Sequence, residues 1–160
     1  MTILVSEYLH VADRAAELGV RLSDDVEIMP DNFASAASRD ELVLHSETAH
    51  VRRLLREKDL GGASLDGRHA AHEDAPGGDW SVTLFAPCGA VRRDPERLIF
   101  ALAAISDHLA DVSKASPRRQ VHLSVVVERG SDRSCKRLTC AGDVSSLRPL
   151  VDKALAIAGE

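Results

Sequence analysis

From Trp80 onward the chain spells out strand, helix, strand, strand, helix, and this order constrains the fold more than any other feature. Trp80-Ser-Val-Thr-Leu-Phe85 alternates apolar and polar residues, as a half-buried strand does. Asp94 then offers an N-cap, Pro95 a pre-set first turn and Glu96 an acid that complements the helix dipole. Behind them Leu98, Ala101, Leu102, Ile105, Leu109 and Val112 form one stripe at helical spacing, the face expected to meet a sheet. A second stripe, Ile99, Ala103, Ser106 and Ala110, is made almost wholly of small side chains and invites a closely packed neighbour, for which the N-terminal helix or a second subunit are the natural candidates.

Val121-His-Leu-Ser-Val-Val-Val127 alternates again, and Arg129-Gly-Ser-Asp-Arg133 turns the chain into a further strand from Cys135 to Cys140. A last helix begins near Asp143 or Ser146 and buries Leu147, Val151, Ala154 and Leu155. A strand-helix-strand unit joins parallel strands by a crossover, and the short turn makes the next strand antiparallel. The expected fold is α+β: a two-layer domain with a small mixed sheet and a mostly helical N-terminal part.

Residues 1–60 read as that helical part, packed on the main domain. Ile3 to Leu18 places Leu4, Tyr8, Val11, Ala12, Ala15 and Leu18 on one broad face, with Thr2 as cap and Gly19 as stop. Val26 to Met29 alternates only partly and suggests a short strand or an extended arm before Pro30. Ser38-Arg-Asp-Glu41 has the spacing of a capping box and predicts a helical stretch through Leu42 and Leu44. Ala49 to Lys58 predicts a second helix with Val51, Leu54 and Leu55 inward. Residues 61–79 hold five glycines and no periodicity, and read as a loop or linker before the 80–160 domain.

With 160 residues the chain is long enough to bury a core without staples or metal. Aromatics make up 3% of it, so the core rests on Leu, Val, Ile and Ala, and stacking of bases or sugars on rings has little to work with. Three cysteines without a framework spacing suit a reducing cytoplasm. Met1-Thr-Ile-Leu-Val lacks a basic leader, and no apolar run reaches membrane-spanning length. The net charge of −5 is uneven: residues 1–60 hold 12 acids and 7 bases, residues 80–160 hold 9 acids and 12 bases. That asymmetry reads first as two faces attracting each other within one fold, and second as a docking surface.

Few residues carry recognisable chemistry. Cys88 follows the carboxyl end of a predicted parallel strand, where ligands and nucleophiles gather in α/β sheets, but no nucleophile motif surrounds it. His69 and His72 would share one face of a helix and could ligate zinc or nickel, although they lie in the glycine-rich stretch without a third ligand. Cys135 and Cys140 are five positions apart, so a regular strand sends them to opposite faces, Cys140 to the core and Cys135 to an edge. Basic pairs, Arg118-Arg119 among them, come with no phosphate loop and no RNA-binding signature.

The resulting expectation is a cytoplasmic, non-enzymatic accessory or regulatory module, of which immunity-type proteins are one sort, that docks a protein partner and has the option of self-association. Its docking surface is the sheet face carrying His122, Ser124, Val126, Arg137 and Thr139. No cofactor, no metal and no membrane is called for. A small enzyme with Cys88 as nucleophile is the alternative, and a weak nucleic-acid binder using the basic half is the third reading.

Overall fold

In a computed structural model, residues 2–60, 71–73, 80–115, 121–141 and 148–160 are described. The chain is α+β, with a five-stranded mixed sheet in the order β1-β7-β6-β5-β2. Its strands are β1 (Thr2–Tyr8), β2 (Glu27–Ile28), β5 (Trp80–Ala86), β6 (Val121–Glu128) and β7 (Cys135–Ala141). A separate parallel pair is formed by β3 (Val43–His45) and β4 (Ala71–Glu73). The helices are α1 (Val11–Leu18), α2 (Ser46–Glu57), α3 (Cys88–Arg93), α4 (Pro95–Ala115) and α5 (Arg148–Ala158).

The strand-helix-strand-strand-helix pattern stands as expected: β5 and β6 are parallel, and β7 returns antiparallel to β6. Helix α4 buries the predicted stripe, with Leu98, Ala101, Leu102, Ile105 and Leu109 all at 3% exposure or less. The N-terminal expectation needs correcting. Thr2–Tyr8 is a strand paired along its whole length with β7, and only Val11–Leu18 is helical. The helix is capped by His10, whose imidazole accepts the Asp13 N–H, and it closes on Gly19 in the left-handed region at φ 69°. Thr, Ile, Val and Tyr suit a pleated strand, and a waiting partner in β7 outweighed a four-residue spacing of apolar side chains. Residues 2–60 therefore supply β1 and β2 to the main sheet and β3 to the separate pair, and are not mostly helical.

The expected capping box also fails. Ser38 makes no capping bond, and Glu41 accepts the Ala37 N–H instead. Arg39–Glu41 is a single 3-10 turn leading into β3. The 61–79 stretch contributes β4, whose residues Ala71–Glu73 pair with β3.

Register assigns the sheet residues to faces. One face carries Val82, Leu84, Leu123, Val125, Val127, Leu138 and Cys140, all essentially buried, and α5 lies on that side with Glu160 reaching Lys136. The opposite face carries Phe85, Ser124, Val126, Glu128 and Cys135, which are buried too. Val11 covers the Cys135 end of it, its N–H pointing at the Cys135 sulfur. Arg14 on α1 donates to the carbonyls of Phe33 and Ala36, tying the helix to the segment after β2. Two residues of the small-residue stripe of α4 face α5 rather than the N-terminal helix expected there, although α2 does pack against α4. Ile99 and Ala103 border a cavity of about 320 Å³ with Val151 and Leu155 of α5, and Phe100 is 56% exposed.

Candidate functional site

The five residues expected to dock a partner do share one face. Thr139 and Arg137 of β7 stand opposite Ser124 and Val126 of β6 in the antiparallel register, and His122 precedes them on β6. Ser124 Oγ lies 3.1 Å from Thr139 Oγ1, and Arg137 Nη2 donates to Ser124 Oγ at 3.4 Å. Ser124 and Val126 are fully buried, whereas His122, Arg137 and Thr139 are half-buried. Toward β1 the face opens, with Leu4 57% exposed beside Thr139 and Ser6 exposed beside Arg137. Tyr8 closes the other end of β1. Burial raises its phenol above the usual value against the opposing pull of Arg137 and Arg14.

Cys88 takes a position that the sequence did not suggest. It is the first residue of α3, which begins directly after Pro87, so the thiol lies at a helix start rather than in a loop before one. Parallel pairing of β5 and β6 brings Glu128, one residue past Val127, beside Pro87 and Cys88. The Cys88 N–H donates to Glu128 Oε1 at 3.4 Å. Burial raises the Cys88 thiol, and its hydrogen bond to Glu128 and that carboxylate's charge raise it further; the Gly89 N–H and Arg92 oppose them. The thiol is therefore held protonated, although Arg92 and Arg93 follow it closely in sequence.

These groups border a cleft of about 570 Å³ beyond the carboxyl ends of β5 and β6. Arg93 and Arg133 stand at it with Glu128, while Leu22 and Phe85 give it apolar wall. Arg93 donates to the Asp24 carbonyl at 2.9 Å, and Arg133 Nε lies 3.4 Å from Glu128 Oε2. Arg133 holds φ 60°, a conformation uncommon for a non-glycine residue. Glu128 is the functional candidate that sequence reasoning missed. An acid ending an otherwise apolar alternation, level with the residues that follow the neighbouring parallel strand, was the signal available.

Of the other candidates, Cys135 and Cys140 occupy opposite faces as their spacing requires, but both are buried, so Cys135 is not an edge residue. Burial pushes the Cys135 thiol up to about 11, and Cys140 is raised for the same reason. His69 lies outside the described residues. His72 is in strand β4, so the helical spacing invoked for the pair does not apply to it. Among the described residues no group of three or more His, Cys, Asp or Glu is placed to hold a metal.

Several basic side chains are answered within the fold: Arg97 by Asp25 at 2.9 Å, Arg129 by Glu160 at 2.7 Å. The Arg97–Asp25 pair joins the basic half to the acidic half, whereas Arg129 and Arg133 pair with Glu160 and Glu128 of their own half. Arg118 and Arg119 lie outside the described residues. Among the described residues no helix is long and apolar enough to cross a membrane. Comparison with protein-family models, curated proteins and solved structures finds no match.

Proposed function

We propose that this chain is a protein-binding accessory module that takes an extended segment of its partner onto the free edge of β1. The observation that carries the reading is the edge itself. Among the described residues β1 ends the five-strand order, and five of its seven residues, Thr2, Leu4, Val5, Ser6 and Glu7, are exposed. Natural sheets blunt such edges with lysine, proline or a bulge, because a row of unpaired backbone groups captures other strands. Thr-Ile-Leu-Val-Ser-Glu-Tyr has neither lysine nor proline, and its register with β7 runs without a bulge. Leu4 at 57% and Val5 at 47% exposure point to opposite sides, giving an added strand an apolar contact on each.

Within this reading Arg137 and Thr139 of β7 lie one strand behind β1, and His122, Ser124 and Val126 of β6 lie one strand further back. The proposed layering places α4 and α5 over one face and α1 with its following segment over part of the other. Three free cysteines favour a reducing compartment such as the cytoplasm.

Selection from a display library of random linear peptides tests the reading. Binders are expected to alternate apolar and polar residues and to slow amide exchange along β1, and Leu4→Lys with Val5→Lys is expected to weaken them at least tenfold. Binders that leave β1 exchange unchanged, or that tolerate both substitutions, would refute it. Concentration-dependent dimerisation abolished by the same substitutions would name a second copy as the occupant.

A further inference from the structure

Cys88 and Glu128 form a pair for which packing gives no reason. The Glu128 side chain is 4% exposed, a costly place for a carboxylate unless it is fully hydrogen-bonded. Its partners are sparse: Oε1 takes a 3.4 Å bond from the Cys88 N–H, and Oε2 has no hydrogen bond among the described residues, only the 3.4 Å contact with Arg133 Nε. The carboxylate faces the cleft of about 570 Å³, a volume suited to a small ligand. Cys88 and Glu128 line this one cleft, and a thiol beside a carboxylate is the arrangement of a nucleophile with its base. The cleft also carries two guanidinium groups on exposed residues, Arg93 and Arg133. Arg93 spends one N–H on the Asp24 carbonyl, which leaves most of its five donors for a ligand.

We infer that this cleft is an acyl-transfer site, separate from the β1 edge, in which Cys88 is the nucleophile, Glu128 is its base, and Arg93 with Arg133 hold a carboxylate borne by a small ester or amide substrate. Sγ attacks the substrate carbonyl carbon while the thiol proton passes to Glu128. The S–C bond forms, the bond to the leaving oxygen or nitrogen breaks, and Glu128 returns the proton to that atom. Water then attacks the thioester and gives a proton to Glu128; the S–C bond breaks, the carboxylic acid leaves, and the sulfur regains its proton. The net change is hydrolysis, so no oxidant or reductant is required. Because the resting thiol is protonated, its reactivity depends on the carboxylate being present when the proton leaves.

The test uses the full chain with two activated esters, anionic mono-4-nitrophenyl succinate and neutral 4-nitrophenyl acetate. Nitrophenolate release is followed together with intact mass and peptide mapping. The expected result is a single succinyl adduct on Cys88, absent in Cys88→Ser, formed faster than the acetyl adduct. Glu128→Gln, with a melting temperature at or above that of the parent, is expected to slow acylation by roughly 10²-fold or more. Arg93→Gln with Arg133→Asn, the latter tolerant of positive φ, is expected to erase the preference for the anionic ester. Glu128→Gln reacting as fast as the parent or faster overturns the inference, as do adducts spread over lysines and equal rates for the two esters. Should Glu128→Gln fail to fold, the surface variant Arg93→Gln decides alone: an unchanged ester preference overturns the anion site, a reduced one supports it.

Discussion

Alternation along β6 implies that Val126 points away from the core, so the sharpest test is to shave that side chain. Val126 is fully buried, placed between Phe85 of β5 and Arg137 of β7 in the sheet register. Val126→Ala removes two methyl groups from a closed site. Transfer of those groups with partial collapse of the cavity costs about 2 kcal/mol. For a chain of this length that lowers the melting temperature by about 4–8 °C. The matched control is Leu4→Ala on the open edge of β1, where a surface truncation is worth about 0.5 kcal/mol or less. Both are read by thermal unfolding followed by circular dichroism, with urea titration to confirm an unchanged slope. Refutation is simple: if Val126→Ala melts within about half a kcal/mol of the parent, this sheet face is open and the docking surface belongs on it, not at β1.

The remaining expectations are briefer. Burial holds the Glu27 carboxyl above its usual value, despite hydrogen bonds from Ser23, so its ionisation opposes folding. The folded state keeps the proton longer, and stability falls as pH rises from the unfolded value through the folded one. Glu27→Gln should therefore be more stable than the parent at pH 7, by a margin that vanishes below about pH 4; a margin constant with pH would refute this. Ellman's reagent should titrate one thiol, Cys88, in the native protein and all three in denaturant, since Cys135 and Cys140 are buried. Leu102→Asp should unfold the chain at room temperature, because a carboxylate would replace a side chain with no exposure; a native circular dichroism spectrum and melt would refute it. Gly130→Ala should cost about 1 kcal/mol in urea titration, since its new Cβ would sit 3.0 Å from Arg92 Nη1 and 3.1 Å from the Ala158 carbonyl oxygen.

What the sequence disclosed and what it hid divide by the range of the interactions. β5, α4, β6 and β7 were legible because each carries its own signal: an alternation, a capped stripe, a turn. β1 was not, because Leu4 and Tyr8 have helical spacing while the reason for a strand, β7, lies more than a hundred residues away. The buried state of Val126 was hidden likewise, since its alternation with Val125 and Val127 says only that the two faces differ, not that both are covered. At the cleft, Cys88 was visible as a thiol after a strand. Its pairing with Glu128 depends on parallel register between strands separated by α3 and α4, which local pattern does not encode. Glu41 shows the opposite failure: a good local motif, the capping box, yielded to β3 pairing with β4.

The pairing of Thr2–Tyr8 with Cys135–Ala141 sets the order in which the chain can assemble. On a ribosome β1 must wait for β7, more than a hundred residues later. At a synthesis rate of roughly 5–20 residues per second that is a delay of several seconds or more. Throughout it a seven-residue strand carrying Ile3, Leu4, Val5 and Tyr8 has no native neighbour. β5, α4 and β6 are close in sequence and can associate early, whereas β1 can only zip on at the end, after a long and entropically costly loop closure. Refolding should accordingly show a late phase reported by β1 amides, and aggregation during expression should be worst while that strand is unpaired.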